Sequence, residues 1–127
     1  MKTLVAVALF LFLLFPSEAV AGDLWFTPFT WYDYTLEATF LGVTSMDWSQ
    51  TQEIASQPTI YHEMNPALGN HPSLLAVNIY FPASMAVHAL VAYALPKPYR
   101  EVWQTMWIGV ETYCVVNNVS IGLRVRF

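Results

Sequence analysis

Residues 73–95 run from Ser73 to Leu95 without one formally charged side chain. A helix needs about 20 apolar residues to cross hydrocarbon, so this stretch is long enough to span a bilayer with some tilt. Its start is marked chemically. Pro72 cannot continue a preceding helix, and Ser73 can cap a new one. Pro82 should bend the helix midway, a break that membrane helices accept where neighbours satisfy the freed carbonyl. Ala83, Ser84, Ala86 and Ala89 would let another helix approach closely.

The segments on either side have a different pattern. From Thr35 to about Ser56, Leu36, Phe40, Val43 and Trp48 alternate with Glu37, Thr44, Asp47 and Thr51. Steps of seven, three and four place the second set along one helix face. A third helix is expected from Pro98, at its first position, to about Asn118. Arg100, Gln104, Glu111 and Asn118 form its polar stripe, with Val102, Trp103, Met106, Ile108, Val110 and Val115 on other faces. Unpartnered carboxylates are costly in hydrocarbon, so these stripes must meet protein, water or a cavity. The expected fold is all-α: a small antiparallel bundle of about three membrane helices with a polar seam and an apolar exterior. An amphipathic soluble bundle, its stripes in water, is the other meaning of such a pattern.

The ends of the chain bear on localisation. Lys2, the apolar residues 4–15, a polar break at 16–18 and Ala19-Val20-Ala21 read as a signal peptide over residues 1–21. This leaves one helical membrane domain over 22–127, an exported N-terminus and a bacterial inner-membrane location. Residues 24–34 crowd six aromatic rings among polar groups, as at a headgroup interface. The last nine residues alternate like a strand of an outer-membrane barrel, but the smallest barrels need eight strands and the rest of the chain has helical periods. Only five Lys and Arg are present in a chain of net charge −4, which excludes a nucleic-acid partner. The bilayer, and with it other membrane proteins, are the expected partners. Cys114, the single cysteine, excludes an internal disulfide and reads as a packing residue.

Between the first two helices lies Tyr-His-Glu-Met-Asn-Pro-Ala-Leu-Gly-Asn-His-Pro-Ser, residues 61–73, rich in turn formers. Three fragments carry a resemblance: Asp47-x-x-Gln50-Thr51; Glu63-x-Asn65-Pro66-x-Leu68-Gly69-x-His71-Pro72-Ser73; and Asn117 or Asn118 with Gly122. Over residues 35–127 the chain resembles an uncharacterised group of small prokaryotic and phage-encoded membrane proteins. The resemblance implies a helical membrane fold and no mechanism.

An antiparallel bundle would gather Asp47, Gln50, Thr51, His62, Glu63, Asn65, His71, Asn78, Glu111, Asn117 and Asn118 at one end. We expect these groups chiefly to satisfy one another: Glu63 and Asn65 holding turn backbone, Asp47 pairing with Asn117. The alternative is a metal site of His62, Glu63, His71, Asp47 and Glu111, since imidazole with carboxylate suits Zn, Fe or Mn. No spacing matches a metal motif, and no cofactor is expected otherwise. His88 should lie near the opposite end, bonded to a hydroxyl or carbonyl, or in a proton relay with Glu111 or Glu37. No G-x-S-x-G elbow is present, and no residue is assigned a catalytic role. The leading expectation is a non-enzymatic accessory or interaction subunit of an envelope complex. A membrane-embedded metal or proton site, catalytic or transporting, comes second, and a secreted domain binding an apolar ligand third.

Overall fold

The computed structural model describes residues 27–125 as three helices, with no strand among them. The expected signal peptide, the aromatics Trp25 and Phe26, and Arg126 and Phe127 lie outside the described residues. Helix α1 is Trp31–Ser56, α2 is Leu74–Ala94 and α3 is Lys97–Ser120.

Helix α1 starts four residues before its expected boundary, and the reason is a cap. The Thr30 hydroxyl accepts from the Asp33 amide at 3.3 Å, while the Asp33 carboxylate accepts from the Thr30 amide at 2.7 Å. This reciprocal box satisfies two amide groups at the helix entry. Residues 31–34, read from sequence as part of an interfacial segment, are thus the first turn of α1. Trp31, Tyr32 and Tyr34 remain exposed there, and Asp33 points inward. Ser73 caps α2 as expected, its hydroxyl accepting from the Ala76 amide at 3.1 Å. α2 continues through Pro82, which stands on its exposed side. Pro98 is the second residue of α3, after Lys97, still within the turn whose amides have no helical partner.

A glycine-dependent turn closes α3. Gly122 has φ of 95°, the Leu123 amide reaches back to the Asn118 carbonyl at 3.0 Å, and the Gly122 amide to Val119 at 3.0 Å. This pair of bonds is the Schellman arrangement, and it turns Leu123 into the bundle, where it is fully buried. A nonglycine residue at 122 would be strained by its backbone conformation, since no atom crowds the site.

The interhelical bonds set the directions. Asp33 meets Arg100, Glu37 meets Gln104 and Asp47 meets Asn118, so α1 and α3 run parallel. Glu37 also meets His88, while Trp48 and Gln52 meet Asn78, so α2 runs antiparallel to both. α1 is the central element, packed most closely on α3 and next on α2.

Burial inverts the usual order. Asp33, Gln50, Arg100 and Gln104 are 0 % exposed, whereas Leu75 is 70 %, Leu90 67 % and Val116 61 % exposed. The buried side of α1 reads Asp33, Glu37, Phe40, Thr44, Asp47, Thr51, Ile54, in alternating steps of four and three. That spacing keeps one seam facing its neighbours along the whole helix. Phe40, placed on the apolar face by sequence, is in this seam, and so is Val115 of α3. Both fill space between polar layers.

Candidate functional site

The seam holds two polar clusters, one at each end. The first is built on Arg100, a residue the sequence placed only in a stripe. The amide that would normally bond the Ala92 carbonyl belongs to position 96, a proline, so this carbonyl at the end of α2 has no helical donor. Arg100 Nε takes it at 2.8 Å, and Nη2 takes the Leu95 carbonyl at 3.1 Å. The guanidinium also donates to Asp33 Oδ2 at 3.3 Å, to the Pro28 carbonyl at 3.4 Å and to the Thr27 carbonyl and hydroxyl at 2.7 and 3.1 Å. It lies 4.6 Å from the centre of the Phe29 ring. One cation therefore ties the chain entering α1 to the turn between α2 and α3. A planar five-donor fork suits such a hub, whereas an ammonium offers three donors.

One turn deeper, Glu37 accepts from Gln104 Nε2 at 2.9 Å and faces His88 Nδ1 at 3.0 Å. Gln104 Nε2 also reaches the Asp33 carbonyl at 3.1 Å. An ionised carboxylate only accepts, which assigns the proton to Nδ1 of His88 and leaves Nε2 without a protein partner. The imidazole is stacked between Phe40, with ring centres 3.6 Å apart, and Trp103, at 5.5 Å. His88 thus pairs with Glu37, one of its two expected partners, and not with a hydroxyl. Trp103, assigned to an outer face by sequence, turns in to cover it and donates to the His88 carbonyl at 3.3 Å.

The second cluster lies toward the loop end. The loop is shaped by Asn65, whose side-chain oxygen accepts from the Ala67 amide at 3.0 Å across Pro66 and whose carbonyl accepts from Leu68 and Gly69 at 3.1 Å. Gly69 carries the positive φ of 74° that reverses the chain, and the Glu63 amide closes the loop on the Asn70 carbonyl at 3.0 Å. Glu63 Oε1 accepts from the Asn65 amide at 2.7 Å. The expectation that Glu63 and Asn65 hold turn backbone agrees with these bonds. Pro72 packs inward.

Glu63 is nevertheless 9 % exposed, because the loop folds it back into the seam, where Asp47 and Glu111 are within electrostatic reach. Asp47 accepts from Asn118 Nδ2 at 2.9 Å, not from Asn117 as the sequence suggested. Helical phase explains the choice, since Asn118 continues the stripe of Arg100, Gln104 and Glu111, while Asn117 lies about 100° round the helix. Gln50 donates to the Val115 carbonyl at 3.4 Å, Thr51 is buried, and Asn78 accepts from Trp48 Nε1 at 3.0 Å and Gln52 Nε2 at 2.7 Å on the rim. Tyr80 and Cys114 flank the carboxyl groups, and Cys114 is free and half-buried.

The five groups of the metal alternative do not come together as a ligand set. His62 and His71 meet edge to face, ring centres 4.9 Å apart, on the exposed side of the loop, while Asp47 and Glu63 are buried and Glu111 turns one oxygen into the seam. Among the described residues no three His, Cys, Asp or Glu side chains are placed to hold one ion. The turn at Gly69 brings the histidines side by side, and the bond from Asn65 holds Glu63 inward, so the loop's own hydrogen bonds separate nitrogen from oxygen donors. No family, curated protein or solved structure matches the chain.

Proposed function

We propose that this chain is a small integral protein of the bacterial inner membrane, a non-enzymatic interaction subunit of an envelope complex with an exported N-terminus. The observation that carries the reading is the inverted burial: charged and amide side chains are buried in the seam beside Phe40, Val77, Phe81 and Val115, and large apolar side chains stand exposed along α2 and α3 and over the first turns of α1. Charged residues are almost never fully buried in a soluble fold without pairing, and exposed apolar area of this extent is unusual on a soluble monomer. Lipid supplies the solvent that such an exterior requires.

Helix lengths agree. At about 1.5 Å per residue, 26, 21 and 24 residues reach roughly 39, 32 and 36 Å, enough for a hydrocarbon core of about 30 Å. By length and composition, only α2 among the described residues is a candidate span, with a mean hydropathy of 1.7. α1 and α3 fall short because all their polar residues are counted: Asp33, Glu37, Arg100 and Gln104 are buried between the helices, while the exposed Thr35, Thr39, Thr105 and Thr112 turn their hydroxyls onto their own helix backbone. Exposed Trp31, Tyr32, Tyr34 and Tyr93 gather at the Arg100 end, where amphipathic rings favour a headgroup layer. An interaction role follows from the seam: its polar groups largely bond to each other, which leaves the apolar exterior to lipid and neighbouring helices.

Membranes from cells expressing the full chain are washed with alkaline carbonate, then solubilised in mild detergent and sized. The chain is expected to stay with the carbonate-washed membranes and to migrate well above its own 14.4 kDa with detergent. Release by carbonate would defeat the membrane reading, and a bare monomer in detergent would defeat the interaction role.

A further inference from the structure

We propose that Asp47 and Glu111 form a proton-binding site in the seam, entered from the end of the bundle closed by residues 57–73. The proposal rests on the membrane reading for its low-dielectric surroundings.

Three acids are brought together here from three separate parts of the chain. α1 contributes Asp47, the loop Glu63 and α3 Glu111; the bonds from Asn118 to Asp47 and from Gln50 to the Val115 carbonyl set residues 47–50 of α1 against residues 115–118 of α3, one turn from Glu111. Asp47 and Glu63 are 8 % and 9 % exposed, and one oxygen each of Glu63 and Glu111 is buried with no protein partner. Facing them are Tyr80 from α2 and Cys114 and Asn118 from α3, none of which brings a positive charge. The cations of the described residues are engaged or placed elsewhere. Arg100 pairs with Asp33 at the far end, where Lys97 also lies beside Glu101, and His88 pairs with Glu37. His62, His71 and Arg124 are exposed.

A neutral side chain gives an independent sign. Gln50 is 0 % exposed, and its Nε2 crosses the seam to the Val115 carbonyl, between Glu111 and Asn118 on α3. Its carbonyl oxygen, in the same layer as Asp47, has no partner. A buried acceptor left open costs about 1–3 kcal/mol, so the layer as built calls for a hydrogen-bond donor. Among the described residues no three His, Cys, Asp or Glu side chains are placed to hold a metal ion there. Like charges packed in a medium of low dielectric cannot all stay ionised. With no basic group of the described residues facing them, the counter-charge is the proton itself. Each uptake is a plain acid–base step: a carboxylate takes H⁺ from hydronium, leaving the carboxylic acid and water, and the new O–H donates to a neighbouring acceptor. Glu63, carried on the loop and turned inward, connects the layer with water at that end.

Infrared spectra of the full chain purified in detergent test the site. A carboxylic-acid carbonyl band is expected at neutral pH. Asp47→Asn and Glu111→Gln should each diminish it and the double variant abolish it, with the helical amide band unchanged, while Glu101→Gln at the far end leaves it intact. Fully ionised carboxyls at neutral pH would overturn the proposal. A band removed at constant pH by sodium but not by a bulky organic cation would also overturn it, with a metal cation as the occupant. Because the band is read in detergent, a chain released by carbonate yet retaining the band would sink the membrane reading and leave the site standing.

Discussion

Arg100→Ala is expected to destabilise the bundle by about 3–5 kcal/mol, the usual cost of removing one partner from a buried ion pair. The substitution leaves Asp33 without its counter-charge at a position with no solvent exposure. It also removes the donor for the Ala92 carbonyl, which cannot find a helical one because Pro96 follows. The Thr27 and Pro28 carbonyls lose their link to the bundle in the same step. Unfolding followed by circular dichroism in mixed micelles measures the loss. Arg100→Lys should recover only part of it, since three donors cannot replace the fork. Arg100→Leu with Asp33→Asn should be less damaging than Arg100→Leu alone, because the double change removes the orphaned charge. Equal losses for the single and double variants would show that the pair is not what Arg100 contributes.

The second large effect is expected one turn away. Glu37→Leu removes the acceptor for both Gln104 Nε2 and His88 Nδ1, and each orphaned donor costs about 1–3 kcal/mol. Gln104 keeps its bond to the Asp33 carbonyl, so His88 should carry more of the penalty. The imidazole is stacked against Trp103, which makes indole emission a local report of whether it stays in place. We expect Glu37→Gln to be milder, since its carbonyl can still accept from one of the two donors. A Glu37→Leu chain as stable as the parent, with unchanged Trp103 emission, would show that the seam tolerates an apolar layer at this level.

Much of the helical layout was legible because polar and apolar residues keep different periods. The Ser73 cap of α2 and the seven-residue steps of Glu37, Thr44 and Thr51 were local signals, and they put the polar groups of α1 on one face while leaving open whether that face met protein or water. What stayed hidden depended on partners far along the chain. Asp33 sits among aromatics, which made residues 24–34 read as one interfacial segment. Yet Thr30-x-x-Asp33 is a capping pattern, and Asp33 and Glu37 extend the four-and-three spacing backwards, so a longer window would have found the start of α1. Arg100 and Gln104 were visible as a stripe, but their roles come from Pro96, which orphans a carbonyl on another helix. The choice of Asn118 over Asn117 was available from the stripe of Arg100, Gln104, Glu111 and Asn118, since neighbouring residues lie about 100° apart round a helix. Phe40 and Trp103 misled because large rings were counted as exterior by hydrophobicity, when their place was to enclose an imidazole.

At the loop end Asp47, Gln50, Thr51 and Glu63 are buried, whereas His62, His71 and Asn78 are exposed, and within the loop the difference lies in a few hydrogen bonds. Asn65 and Gly69 shape a turn that holds Glu63 inward and leaves His62 and His71 outside. Residue type and spacing cannot resolve that choice, because it is made by backbone geometry within the loop.

The claim on which the rest depends is that the apolar exterior faces lipid. Leu90→Cys on α2 and Val116→Cys on α3, both strongly exposed, can be spin-labelled in a Cys114→Ala background and reconstituted in vesicles. Collisions with oxygen, which concentrates in hydrocarbon, are then compared with collisions with a water-soluble nickel chelate. The bundle described here predicts frequent oxygen and rare nickel collisions at both sites. Frequent nickel collisions at both, in a folded chain, would place those faces in water and contradict the account.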